Sequence, residues 1–483
     1  MAQDACITGN RGVTQRALIN RTIQRIESAF EHMAFDFFSG VQNFGNGDVW
    51  GGYGDITTNL HQTFAFKARH PDARVRLIVV DYARDRMQEL RKAHGQVSNT
   101  ADIVSALVPG LDPDKKDIDQ MVHGVAFQFP SQSLLPAPKS VGRKLADLRA
   151  RNFGLVFSDN QGRLAKTVAL GGGLSFVIDE PGRDRELTRR HKTDTVSGQH
   201  CLNAGAFNLG LYVRPDVCTR PSGIDDALAR DVRGQSGGRS ICFVYPGRES
   251  QLDVYFDVAQ QVAKRMGRDV AILTIGRGAV ERAERWPQAV HVALPKVPLR
   301  SIQTLVWLSD LPPIVTGCMT LCNALDTAQR GRGYVYSRPS WKQYAARDMC
   351  DYFAGFWPDV TNPSEHRQDM KRLRLCNFAA QSDLREQDAI PELADAMCDS
   401  AYQQRFAQAV TRSACDLSLI KNVEVLMKWL ELAPLLELGD RWTGAREEEL
   451  FAMVRQAADF PEFADNVLSH VGISAPSATE PSL

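Results

Sequence analysis

The sequence predicts an α/β protein built as two Rossmann-like halves facing a cleft, followed by a helical C-terminal tail. Three observations carry that expectation. Short β-branched apolar runs alternate with stretches of helical spacing, first before residue 213 and again after residue 240; this is the pattern of a parallel sheet covered on both faces. One polar stretch, 214–239, holds Pro215, Pro221, Gly223, Gly234, Gly237 and Gly238 and separates the two runs as a link. From about Pro391 to His470 the strand signals stop and only helical spacing remains.

Residues 1–40 read as a helical segment, with Ala17, Leu18, Ile23, Ile26 and Phe30 at roughly helical spacing. The first half, 41–213, opens on a glycine-rich loop ending in Gly51-Gly52-Tyr53-Gly54-Asp55, after which helical spacing resumes through Leu60, Phe64 and Phe66. Val75–Val80 is β-branched and apolar and reads as a buried strand. Further strands are expected at Val125–Phe129, Phe153–Phe157 and Leu174–Ile178.

The second half, 240–390, reads more clearly. Strands are expected at Ile241–Tyr245, Val270–Ile275, His291–Leu294, Pro313–Val315 and Tyr334–Tyr336. Helices are expected through Val254–Val262, Ile302–Leu308 and about Thr320–Gln329, giving a βαβαβ run with short connections. The helical region 391–471 carries an apolar face through Leu417, Leu419, Ile420, Val423, Val425, Leu426 and Trp429. It reads either as a brace packed on both halves or as a surface for a partner. Residues 472–483 are rich in Ser, Pro and Ala and are expected to be disordered.

Composition narrows the function classes. The chain has 483 residues, enough for two to four domains with sizeable cores. Lys+Arg and Asp+Glu number 57 each, so the formal net charge is zero. A nucleic-acid binder ordinarily shows a basic excess, and no nucleic-acid partner is expected. No apolar run approaches the roughly 18 to 20 residues that span a bilayer. Met1–Arg11 lacks the features of a secretory signal. A cytoplasmic location is therefore expected, with export independent of a signal peptide left open. The ten cysteines are scattered and read as reduced, mostly buried thiols. Cys318 and Cys322 would share a helix face, but no neighbouring His or Cys completes a metal-ligand set.

Two places combine features that suit chemistry on a phosphorylated ligand. Gly51, Gly52 and Gly54 let the backbone turn tightly before a helix, and Asp55 at that mouth is placed to take a proton from an acceptor hydroxyl or amine. Its plainer role is an ordinary helix N-cap. Val315-Thr316-Gly317-Cys318-Met319-Thr320 is a strand ending at a helix start, where backbone N–H groups cradle a diphosphate and Thr316 and Thr320 add hydroxyls. Tyr245 and Arg248 follow the first strand of the second half, and Arg277 follows the second. An arginine at a strand's carboxyl end suits phosphate through its planar fork, or is simply solvated. Lys296, in Pro295-Lys296-Val297-Pro298, follows the third strand in a loop suited to hold a nucleobase.

The Gly-Gly-Tyr-Gly-Asp stretch before a helix, paired with strand–Thr-Gly–helix in the second half, resembles the GT-B glycosyltransferases over roughly residues 45–350. Within that group, Tyr53-Gly54-Asp55-Ile56, Phe243-Val244-Tyr245 and Leu305-Val306-Trp307-Leu308-Ser309-Asp310-Leu311 are similar to the protein-arginine rhamnosyltransferase family that modifies a bacterial elongation factor. The resemblance implies an activated nucleotide-sugar donor on the second half and an acceptor, protein or small molecule, on the first. Together with the residue reading, this gives Asp55 as the expected general base, no cofactor, and a donor site expected at Tyr245, Arg248, Arg277, Lys296, Thr316, Gly317 and Thr320. That family carries an acid where Gly51 stands and a Glu-Asp pair where this chain has Cys318-Met319. No Asp-x-Asp metal motif sits in a suitable loop, so a metal-independent transfer is expected. Two other readings fit the same residues: a nucleotide-sugar epimerase on this scaffold, and a non-catalytic interaction protein that keeps the fold.

Overall fold

The structure, a computed structural model, describes residues 2–40, 53–80, 88, 99–131, 153–157, 175–179, 198–201, 209–211, 224–246, 252–275, 290–294, 297, 301–328, 331–338, 343–378, 389–436 and 445–472.

The first half holds a seven-stranded sheet of β1 (Ala34–Gly40), β2 (Arg74–Val80), β3 (Gln120–Val122), β4 (Val125–Gln128), β5 (Phe153–Phe157), β6 (Ser175–Asp179) and β7 (Gly198–Cys201). Its order is β3-β4-β2-β1-β5-β6-β7, parallel throughout except for the β3–β4 hairpin at one edge. With that edge strand set aside, the parallel strands run 3-2-1-4-5-6, the Rossmann order. The helices described here are α1 (Ala2–Phe30), α2 (Tyr53–Arg69) and α3 (Thr100–Leu107).

The second half is a five-stranded, all-parallel sheet of β8 (Ser240–Val244), β9 (Val270–Ile275), β10 (Val290–Leu294), β11 (Ile314–Val315) and β12 (Val335–Tyr336). Its order, β10-β9-β8-β11-β12, is again 3-2-1-4-5. The helices of this half are α4 (Asp226–Gln235), α5 (Leu252–Met266), α6 (Ile302–Leu308), α7 (Cys318–Ala328), α8 (Gln343–Gly355) and α9 (Pro363–Phe378). The C-terminal region adds α10 (Ala389–Cys398), α11 (Ser400–Ser413), α12 (Leu419–Leu435), α13 (Ala445–Gln456) and α14 (Phe460–His470).

Three expectations change. Residues 34–40 are not helical. They form β1, the central strand of the first sheet, because Phe35 and Phe37 alternate at period two and are buried, and Asp36 between them is buried against Arg76 at 2.9 and 3.1 Å. In α1 the buried face is Ile19, Ile23, Ile26 and Phe30, while Leu18 is exposed. The stretch 214–239 is not merely a polar link. It contains α4, capped by Asp225, whose carboxylate accepts from the N–H groups of Ala227 and Leu228. Arg233 of α4 is fastened to both carboxylate oxygens of Asp310, and Val232 is buried in the second core. The crossing seen between the halves lies earlier, at 209–211, where Leu209 belongs to the first core and Leu211 to the second.

The C-terminal helices answer the question left open about the tail. α10 and α11 bury Leu393, Tyr402 and Phe406 in the second core, whereas α12–α14 bury Leu419, Val423, Trp429, Phe463 and Val467 in the first. The region is thus a brace on both halves. Of the segment 472–483 expected to be disordered, Gly472 is described as part of a turn and the rest lies outside the described residues.

Candidate functional site

In open parallel sheets a ligand sits outside the carboxyl ends of the strands, where the strand order reverses. The first sheet reverses between β1 and β5, and the second between β8 and β11. The segments leaving these strands are therefore the places to look. The glycine loop and α2 follow β1; Tyr245 follows β8; Thr316-Gly317 follows β11. Sequence reasoning had singled out these three segments.

At the second switch point the backbone is tightly specified. Val244 of β8 pairs with Ile314 of β11, and the Tyr245 N–H donates to the Ile314 carbonyl at 2.8 Å. The Tyr245 ring lies nearly parallel to Phe243 with centroids 6.3 Å apart, and burial pushes its hydroxyl above the usual tyrosine range. The Thr316 hydroxyl donates to the Ser337 carbonyl at 2.9 Å, and the Ser337 N–H donates to the Val315 carbonyl at 2.7 Å. Thr316 thus ties the end of β11 to the end of β12, and its proton is already engaged there. Gly317 has φ +74°, which favours glycine, although a Cβ would meet no atom within 4 Å. The turn needs glycine for its dihedral rather than for space.

Helix α7 begins straight after Gly317, two residues before Thr320, which is buried. Its free N–H groups and aligned dipoles carry about half a positive charge, a ready-made seat for an anion. One residue at this rim escaped the sequence reading. Arg338 follows β12 and Ser337 and is 9% exposed. Its signal was present: an arginine directly after a Tyr-Val-Tyr strand, at the carboxyl edge.

At the first switch point, Tyr53-Gly54-Asp55 form the first turn of α2, so Asp55 stands inside the helix and is not its N-cap. Side chains from Ile56 onward are described in part. Gly51, Gly52, Arg248, Arg277 and Lys296 lie outside the described residues.

The helices that follow the two switch points are in contact. α2 of the first half packs on α7 of the second. Residues 55, 59 and 62 follow one another at helical spacing on α2, and Asn59 and Gln62 are buried. On α7, Thr320, Asn323, Asp326 and Thr327 are buried polar residues, while Leu321, Ala324, Leu325 and Ala328 fill the second core. The far end of α2 is fixed differently. Arg69 Nε donates to Glu424 of α12 at 2.5 Å, and Lys428 bridges Glu424 at 2.7 Å and Glu27 of α1 at 2.8 Å. His70 Nδ1 lies 3.1 Å from Glu31, with Nε2 3.3 Å from Glu424. Burial pushes the Glu424 carboxyl up, but the His70 contact and the charges of Lys428 and Arg69 outweigh it and hold it well below the usual range.

Among the described residues no group of three or more His, Cys, Asp or Glu side chains is placed to hold a metal ion. Cys322 is buried and its thiol donates to the Leu211 carbonyl at 2.8 Å. A depression of about 340 Å³ lined by Gly331, Gln404, Ala407, Gln408, Thr411 and Arg412 lies past the C-terminal end of α7, the end opposite Gly317. No helix among the described residues is long and apolar enough to cross a membrane.

No family model and no curated protein matches the sequence. Solved structures do align with it. A MurG from Acinetobacter baumannii is 11% identical over 79% of this chain and 95% of its own, at a TM-score of 0.40. An α,α-trehalose-6-phosphate synthase from Burkholderia multivorans is 11% identical over 86% of this chain and 99% of its own, at 0.42. A UDP-N-acetylglucosamine 2-epimerase from Listeria monocytogenes, itself so described only provisionally, is 9% identical over 80% of this chain and 95% of its own, at 0.38. At such scores these likenesses carry no weight for chemistry. The assignment to two Rossmann-like halves stands on the strand orders and registers themselves.

Proposed function

We propose that this chain is a glycosyltransferase that moves a sugar from a nucleotide-sugar donor to a protein or small-molecule acceptor, without a metal. The observation that supports the reading is the packing of the two helices that follow the switch points. The strand–Thr316-Gly317–helix turn of one sheet and the helix bearing Asp55 of the other are joined by the packing of α7 on α2. An anion seat on one helix and a carboxylate carried by the helix packed against it are the two groups that sugar transfer from a diphosphate requires.

The division of labour follows from charge. As the glycosidic bond to the diphosphate breaks, negative charge grows on the leaving oxygen. The N–H groups at the start of α7 are fixed before the reaction, so they stabilise that charge without reorganising. Arg338 at the same rim, with Arg248, Arg277 and Lys296, supplies full positive charge to the phosphates. Tyr245 offers an aromatic face beside the turn. Asp55 accepts the proton of the attacking acceptor group, a role worth about a hundred- to ten-thousand-fold in rate. The likeness to the arginine rhamnosyltransferases rests on sequence motifs alone, and neither arginine nor rhamnose is assigned.

The test has two stages. Thermal shifts are measured with nucleoside diphosphates and nucleotide sugars; a ligand at 100 times its dissociation constant raises stability by about 2.7 kcal/mol. The nucleotide that binds is then offered as its sugar with candidate acceptors. Turnover that Asp55→Ala abolishes, with nucleotide binding retained, is the expected result. Near-normal turnover by Asp55→Ala removes the base assignment. Conversion of free nucleotide sugar without acceptor makes the protein an epimerase, and silence to every nucleotide makes it a non-catalytic member of the fold.

A further inference from the structure

The strands that end at the second switch point are short. β11 and β12 have two residues each and pair in parallel, Ile314 with Val335 and Val315 with Tyr336. The Val335 N–H donates to the Pro313 carbonyl at 2.9 Å, and the Ser337 N–H donates to the Val315 carbonyl at 2.7 Å. In a parallel ladder the next bond would run from the N–H of residue 317 to the Ser337 carbonyl. The pairing stops before it. The Ser337 carbonyl accepts instead from the Thr316 hydroxyl at 2.9 Å, and the backbone at Gly317 turns away at φ +74° into α7. Carried one step on, the register sets Gly317 level with Arg338. Neighbouring strands lie about 4.8 Å apart, so the start of α7 is within reach of an arginine side chain. Arg338 is 9% exposed at that strand end.

We infer that Thr316 is a positioning residue for the diphosphate: its hydroxyl stands in for the last ladder bond and holds the Gly317 turn and Arg338 side by side, so that one diphosphate meets both. This deepens the proposed function and rests on it. Sequence alone places the Thr316 hydroxyl on the phosphate. In the structure its one proton is given to Ser337, and a phosphate oxygen needs a donor. The contacts to the ligand come from the N–H groups at the start of α7 and from the guanidinium of Arg338. Thr316 releases the residue 317 N–H from the ladder while keeping the two strand ends together. The spacing is thus set before the ligand arrives, and the ligand does not have to impose it.

The experiment measures binding of inorganic pyrophosphate, UDP, dTDP, GDP and ADP to the full chain by calorimetry. Thr316→Val keeps the side chain's shape and removes the hydroxyl; Thr316→Ser restores it. Thr316→Val is expected to weaken pyrophosphate, and the nucleotide that binds wild type, by about five- to tenfold, the scale of one hydrogen bond. Thr316→Ser is expected to stay within about twofold of wild type, and Arg338→Ala to lose about tenfold or more, as for a bond to a charged group. On top of Arg338→Ala, Thr316→Val is expected to cost less than about twofold, because the two residues act through one contact. Equal losses from Thr316→Val with and without Arg338 show that the threonine serves the ligand directly or serves only the fold, and overturn the inference. So does a Thr316→Val protein that binds as wild type does, or a loss that Thr316→Ser fails to recover. If Thr316→Val does not fold, Arg338→Ala decides: unchanged pyrophosphate affinity there means that the strand end held by Thr316 does not meet the ligand. If wild type itself binds neither pyrophosphate nor any of the four nucleotides, the donor reading falls and the role of Thr316 falls with it. That failure shows in the wild-type control rather than in the variants.

Discussion

At the scale of single residues, buried titrating groups set how the protein responds to acid. His291 of β10 lies 2.6 Å from the Thr274 hydroxyl through Nε2 and edge-on to Phe256, and burial lowers its pKa from 6.5 to about 4. Between those two values the unfolded chain binds a proton that the folded chain refuses. Stability contributed by neutral His291 is therefore complete above pH 6.5 and lost as the pH falls toward 4. Glu424 works at lower pH. Its carboxyl, held well below its ordinary value of 4.5, contributes stability that is present above that value and is lost as the pH falls further through its folded pKa. Urea denaturation of wild type is thus expected to weaken in two stages, first between pH 6.5 and 4, then below 4.5. His291→Phe is expected to flatten the first stage and leave the second. If the variant keeps the wild-type slope between pH 6.5 and 4, His291 does not titrate as its surroundings require.

At the scale of elements, the helical region is clipped together by buried carboxylates. Asp369 of α9 is 0% exposed and accepts from Trp357 Nε1 at 3.1 Å and from Arg405 of α11 at 2.6 and 3.0 Å. Asp369→Ala would leave the Trp357 indole N–H without its acceptor, while the Arg405 guanidinium keeps Glu365 at 2.9 Å. The expected cost is about 1 to 3 kcal/mol in urea denaturation; a change well under about 1 kcal/mol would mean that water reaches the site. Contacts of this kind also mark where sequence reading stops. β5, β9 and α6 fall where their apolar spacing predicts, because each carries its period within its own residues. β1 was lost inside a helical expectation because a central strand buries both faces, leaving Phe35-Asp36-Phe37 as the only hint of alternation. Leu305–Leu311 resembles a family motif, yet its Ser309 and Asp310 bind the N–H groups of Phe243 and Ile241 and hold β8 in place. The carboxyl-end turns of the site were legible because glycine and strand ends are local signals. Glu424 was not, because its meaning depends on residues far along the chain.

At the scale of the whole molecule, two passages between the two cores are seen among the described residues, and they touch. Going out, Leu209 is in the first core and Leu211 in the second; coming back, Leu417 is in the second and Leu419 in the first. The Leu211 N–H donates to the Leu417 carbonyl at 2.9 Å, and Asn422 Nδ2 donates at 2.7 Å to the carbonyls of both Leu209 and Asp416. Gly210, between the two leucines, has φ +117°, and a Cβ there would lie 2.2 Å from the Leu417 carbonyl oxygen. Glycine is required twice over, by dihedral and by contact with backbone that cannot swing aside. Gly210→Ala therefore has to push the passages apart. Strain of about 1 to 3 kcal/mol and overpacking of a similar size together predict a loss of roughly 2 to 5 kcal/mol. The Leu211–Leu417 and Asn422–Leu209 bonds that tie one core to the other would weaken with it. A lower urea midpoint is expected, with a second transition emerging as one core melts before the other. A variant that keeps the wild-type midpoint and a single transition would mean that the passages do not lie this close, and that the cores are joined chiefly by the helical brace.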